Sequence, residues 1–201
     1  WNLDGREGKK VPVYVYTDYP EAELFVNGVS QGRQRKLTRT EYESSTDSLA
    51  LQKRYRLMWN DVIYQPGEVK VTAYDENGNP ADEKIIKTAG KPHHLVLSSN
   101  RTSMKADDED LVYITVQVAD KNGNLVPTDT RKVNFKVSGA GKFRAAANGD
   151  PTCTELFHEP DKTLFSGALT AIIQSSEESG KIVFEAYAKG VKPAKIILNV
   201  E

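Results

Sequence analysis

The chain has a single cysteine, Cys153, among 201 residues, so no disulfide can form within it and its stability must come from packing. Charge of one sign is also missing. The formal net charge is −1, which gives no electrostatic footprint for nucleic acid or for an anionic membrane surface. No apolar run approaches the length that spans a bilayer. The chain opens Trp1-Asn2-Leu3-Asp4-Gly5, without an initiator Met and without a charged-then-apolar leader. That opening reads as part of a longer polypeptide, with any targeting signal upstream.

What the chain does have is period-two alternation, the mark of strands with one buried face. Val112, Ile114, Val116 and Val118 alternate with Tyr113, Thr115 and Gln117. Val133, Phe135 and Val137 form a second set, and Ile182, Phe184 and Ala186 a third. Val11, Val13 and Val15 repeat the pattern near the start. Asn-Gly pairs at 27–28, 77–78 and 122–123 punctuate these runs and predict tight turns, because both residues tolerate positive φ. The best helical candidate, Thr40 to Leu51, has too few apolar residues for a continuous stripe, and residues 44–48 read as a loop. Many short strands between turns predict an all-β fold of two immunoglobulin-like, fibronectin-like β-sandwiches in tandem. The breakers in Thr88-Ala89-Gly90-Lys91-Pro92 place the boundary there, giving domains 1–89 and 90–201. A pattern Asp-x-Asn-Gly-Asn occurs at 75–79 and again at 120–124, which suggests one hairpin used in both domains.

Few residues in the chain are spaced for chemistry. Glycoside hydrolysis needs two carboxylates flanking a cleft, whereas Asp107-Asp108-Glu109-Asp110 and Glu177-Glu178 read as solvated loops. His93 and His94 are adjacent, so an extended strand would point them to opposite faces. No zinc-type spacing occurs, and the Asp-x-Asn-Gly-Asn loops lack the downstream Glu of a twelve-residue calcium loop, although either could still hold a structural calcium ion. Cys153 has His158 five residues on but no third orienting group, and no nucleophile elbow or phosphate loop is present. No cofactor or metal site is therefore expected.

Several stretches in order resemble the C-terminal region of glycoside hydrolase family 2, in its β-galactosidase-like members. They are Trp1-Asn2-Leu3 (the third family residue being Trp), residues 22–32 around Phe25-Val26-Asn27-Gly28, and Tyr55-Arg56-Leu57-Met58-Trp59. Tyr64-Gln65-Pro66-Gly67-Glu68, Val71-Thr72-Ala73-Tyr74-Asp75 and the 88–92 linker follow. In the second domain they are residues 106–111, Asn148-Gly149-Asp150-Pro151, Phe157 and Phe165-Ser166-Gly167. The resemblance implies a non-catalytic accessory region whose partner is an upstream catalytic barrel of the same polypeptide. That barrel would carry the catalytic glutamates and hydrolyse β-glycosidic bonds in the periplasm or outside the cell. Residues 148–151 are first of all a turn that their own Asn and Asp can hold, and second the loop expected near the substrate cleft or barrel face, since Asn and Asp suit sugar hydroxyls. Trp59 is either a core tryptophan or a ring exposed for stacking on sugar. The competing functions are a carbohydrate-binding module and an adhesin-type surface module, the second domain resembling invasin-like repeats.

Overall fold

The computed structural model describes all 201 residues as two compact units, Trp1–Thr88 and Ala89–Glu201, both built from β-sheets. In the first unit, β1 (Lys10–Val15) pairs antiparallel with β4 (Leu57–Ile63) in a two-stranded sheet. The other sheet runs β3 (Val29–Arg35), β2 (Glu21–Val26), β5 (Glu68–Tyr74), β6 (Pro80–Lys87). Alternation buries Ala22, Leu24 and Val26 of β2 against Val11, Leu57, Trp59, Val62 and Tyr64. Each buried Val or Leu among them contributes roughly 1.5–3 kcal/mol on full burial. Asn27 and Gly28 carry φ of 49° and 79°, the two positive values of a type I′ hairpin between β2 and β3. The Asn27 side chain also accepts from Glu68 N at 2.7 Å and donates to Pro66 O at 3.2 Å, which ties this turn to the one before β5.

Between β3 and β4 the chain forms two six-residue helices, α1 (Arg39–Ser44) and α2 (Ala50–Tyr55), where the sequence predicts none. Their physical basis is capping rather than an apolar stripe. Thr38 Oγ1 accepts from Glu41 N, and the Glu41 carboxylate accepts from Thr38 N, a reciprocal capping box. The polar residues 45–48 between the helices stay in a loop.

The second unit packs a five-stranded sheet against a four-stranded one. Their orders are β12 (Asp161–Thr163), β10 (Lys132–Gly139), β14 (Gly180–Tyr187), β15 (Ala194–Val200), β8 (Ser103–Met104), and β11 (Gly141–Ala147), β13 (Ala168–Ser175), β9 (Leu111–Ala119), β7 (His94–Ser99). Val112, Ile114, Val116 and Val118 of β9 face Ile182, Phe184 and Ala186 of β14 in one core, and all seven are fully buried. Phe135 stacks between Phe143 and Phe184 at centroid distances of 5.7 and 5.6 Å.

The two Asp-x-Asn-Gly-Asn turns share one hydrogen-bond pattern. Asp75 Oδ1 accepts from Asn77 N and Asn79 N, and Asp120 Oδ1 accepts from Asn122 N and Asn124 N. In both, the Asp amide bonds the carbonyl of the last Asn and Gly donates back to the Asp carbonyl. The surroundings differ. The 75–79 turn closes a hairpin between β5 and β6, but the 120–124 turn returns only as the bridge Ala119–Leu125, with Pro127 close behind. Asp120 is also 3% exposed and accepts from Gly90 N at 2.8 Å.

Candidate functional site

The loop from Asn148 to Pro160 leaves β11 and returns into β12. Its first turn is held by its own side chains. Asn148 Nδ2 donates to Thr163 O at 2.8 Å, and Asn148 Oδ1 accepts from Asp150 N. Asp150 Oδ1 accepts from Thr152 N at 2.8 Å and Thr152 Oγ1 at 2.7 Å, and these bonds hold the Asp150 carboxyl below its ordinary value. Gly149 lies against Phe165; a Cβ there would meet the ring at 3.4 Å. Asn148, Gly149, Phe165, Thr115 and Thr170 line a shallow depression of about 420 Å³. Pro151 continues the turn and is exposed.

Farther along, the loop is anchored by Lys162, which is 1% exposed although it carries a charge. Its ammonium donates to Glu155 O at 3.0 Å and Leu156 O at 3.1 Å, and lies 5.2 Å from the Phe157 ring centroid. The Glu155 carboxylate accepts from Thr163 N at 2.9 Å and Thr163 Oγ1 at 2.7 Å. Burial pushes the Glu155 carboxyl up, but the Thr163 bonds and the nearby lysines outweigh it and leave the group lowered. Leu156 and Phe157, 58% and 65% exposed, stand outward on this frame. Lys162 and Glu155 escape sequence reasoning because nothing in an Asp-Lys-Thr stretch marks its lysine as buried.

Trp59 lies in the core of the first unit, 5% exposed, with Nε1 donating to Gly32 O at 3.1 Å. Its ring therefore packs inside the sandwich and presents no face for a sugar to stack on. His93 and His94 do not diverge as the alternation rule expects. Their Nδ1 atoms lie 3.1 Å apart, because His93 precedes the first residue of β7 and is free of the strand's alternation. Burial, and after it Lys192 and the other positive neighbours, lowers the His93 pKa.

The acidic run is a braced turn. Asp107 Oδ1 accepts from Glu109 N and Asp110 N, Asp110 pairs with Arg101, and Asp108 pairs with Lys142 at 2.8 Å. Backbone donors to Asp107, and Arg101 beside Asp110, lower both carboxyls. No group of three or more His, Cys, Asp and Glu side chains is placed to hold a metal ion.

Comparison with known proteins fits this architecture. A family model described as glycoside hydrolase family 2 C-terminal domain 5 matches residues 95–197, and one described as a domain of unknown function matches residues 8–81. The chain is 35% identical to a beta-galactosidase of Bacteroides ovatus over 202 aligned positions, covering 100% of the chain and 22% of that enzyme. A solved family 2 glycosyl hydrolase from Bacteroides cellulosilyticus matches with a TM-score of 0.84 at 30% identity, covering 100% of the chain and 24% of that structure. A beta-glycosidase from Bacteroides vulgatus matches with a TM-score of 0.86 at 28% identity, again with 100% and 24% covered. The chain thus spans about a quarter or less of the length of these relatives. With the C-terminal domain model covering just over half of its residues, the chain belongs to glycoside hydrolase family 2, as a C-terminal region of that family's enzymes.

Proposed function

We propose that residues 1–201 are a non-catalytic accessory region of a bacterial, β-galactosidase-like glycoside hydrolase, whose catalytic glutamates lie in a barrel elsewhere in the polypeptide. The observation that carries this reading is the end-to-end match to about a fifth of the Bacteroides ovatus beta-galactosidase. The electrostatics support it. A glycosidase general acid needs a carboxyl whose pKa is raised. Every carboxyl that the fold perturbs here, from Glu41 to Glu155, is lowered instead. The isolated chain should give no turnover of a chromogenic β-galactoside under conditions where the longer polypeptide does. Turnover by the chain that disappears on Asp→Asn or Glu→Gln replacement within it would overturn the proposal.

Within that enzyme, which would act in the periplasm or outside the cell, the 148–151 loop faces the substrate cleft or the barrel. Its Asn148 and Asp150 are already committed to the turn, so they would act by shaping the depression beside Phe165. Asn148→Ala and Asp150→Ala in the full enzyme should each alter turnover or stability. If both leave kcat/KM and Tm unchanged, the loop has no such role.

A further inference from the structure

The first unit is short of one strand. Its two-stranded sheet faces a four-stranded one, so the inner face of β5 and β6 lacks a full cover. A groove of about 670 Å³ runs along the uncovered part, between β1 on one side and Val71 and Ile86 on the floor. Ile86 is 51% exposed although it points into this groove.

The backbone along the two outer edges of the small sheet is treated differently. On β4, the Gln34 side-chain amide accepts from Met58 N at 3.1 Å and donates to Met58 O at 2.8 Å, sealing the free edge there. Both backbone groups of Met58 therefore point away from β1. Met58 lies opposite Tyr14, so this is a non-hydrogen-bonded pair of the antiparallel ladder. The N–H and C=O of Tyr14 must then also point outward, from the other edge of the sheet and toward the groove. On that edge a side chain closes only the far end, where Lys36 Nζ donates to Thr17 O. Pro12 and the register shift beside it disrupt pairing only at its start. What remains is the outward-facing backbone of Tyr14, between Val13 and Val15, which pair with Trp59 and Leu57 of β4, and an apolar floor beside it.

We propose that this edge receives an extended segment from the rest of the polypeptide, adding a third strand beside β1 and completing the sandwich. The proposal rests on the accessory-region reading, since the relatives supply more than three quarters of their length outside the matched region. A strand of about five residues, roughly 17 Å long, would lie alongside β1. Alternate apolar side chains of the segment would cover Val15, Val71 and Ile86, and its backbone would bond Tyr14, as in recognition by strand addition. Asp18, Asp82 and Glu83 line the groove with Lys84, and Arg56 covers the outer Tyr14 ring at 4.4 Å, so the polar rim carries both signs and the apolar floor selects the segment.

Hydrogen exchange at the Tyr14 amide tests this directly. In the 201-residue chain that amide should exchange quickly; in the longer polypeptide it should slow on the order of a hundredfold. Ile86→Lys, at a half-exposed position, should leave the 201-residue chain folded and abolish the slowing in the longer one. Equal, fast exchange in both overturns the proposal. So does protection of Tyr14 in the short chain that rises with concentration together with dimer by sedimentation, because the occupant would then be a second copy. Glycosidase activity of the longer polypeptide, measured on the same sample, reports separately on the accessory-region reading. An active enzyme with an unprotected Tyr14 removes only the docking strand.

Discussion

Replacing Asp120 should cost far more than replacing Asp75, although the two occupy equivalent positions in the same five-residue turn. Both carboxylates accept from the two Asn amides of their loop. Asp120 alone is buried, at 3% exposure, and alone accepts a further bond from Gly90 N, the largest cause of its low pKa of about 2. Against the ordinary aspartate value of 3.8, that shift corresponds to about 2 kcal/mol at neutral pH. Asp120→Ala also leaves three amides, of Gly90, Asn122 and Asn124, without their acceptor in a mostly enclosed site. Water can recover part of that loss, so the expected total is about 2–4 kcal/mol. Slow exchange of the β9 and β14 core amides should then accelerate roughly thirty- to a thousandfold. Exchange is the right probe because both tryptophans, Trp1 and Trp59, lie in the first unit and are blind to the second. The sign with pH is fixed. The folded-state pKa is depressed, so the ionised carboxylate's contribution is fully present above about pH 4 and is lost as pH falls through about 2. The gap between wild type and Asp120→Ala should narrow over that window. Equal losses for Asp75→Ala and Asp120→Ala, or a gap that does not narrow in acid, would refute the reasoning.

Gly139→Ala should destabilise the second unit by more than about 2 kcal/mol, because φ there is 92° and a Cβ would sit 1.9 Å from the Lys181 carbonyl oxygen. Gly123→Ala, at φ of 86° with open space around it, should cost about 1 kcal/mol, and urea unfolding followed by exchange distinguishes the two. Trp59→Phe keeps a ring in the core but removes the bond to Gly32 O, so the first unit should lose about 1–3 kcal/mol by tryptophan-independent circular dichroism. Lys162→Met preserves the buried stem and deletes the donor to Glu155 O and Leu156 O, so chymotrypsin should cut after Leu156 or Phe157 faster than in wild type, with the β9 core still protected.

How much of this was legible depends on which physical signal each element carries. β9, β13 and β14 sit with one face in a core, so every second residue must be apolar, and the alternation can be read directly. β3 and β6 are edge strands with few or no buried residues, and their polar stretches Val29–Arg35 and Pro80–Lys87 make sense only through their pairing with β2 and β5. The helices α1 and α2 fail the stripe test at six residues each. Their one local signal is Thr38 followed three residues later by Glu41. In the candidate site, the turn chemistry of Asn148 and Asp150 is sequence-local and readable. The Lys162 anchor depends on carbonyls six and seven residues away meeting a buried ammonium, which no periodicity encodes.

The acidic residues show most clearly why composition alone misleads about chemistry. Clusters such as Asp107 to Asp110 invite a catalytic reading, but the two roles need opposite surroundings. A carboxyl that locks a turn is wrapped by N–H donors, which favour its ionised form and lower its pKa. A carboxyl that protonates a glycosidic oxygen must be kept short of such donors, so that it still holds its proton near neutral pH. Asp75, Asp107, Asp120 and Asp150 each accept from amides within four residues of themselves and titrate low as a result. Converting one into a general acid would mean removing the donors that hold its turn, and the turn would fail before the acid was made. Each of these four aspartates is thus committed to its turn, as the accessory-region proposal expects of them.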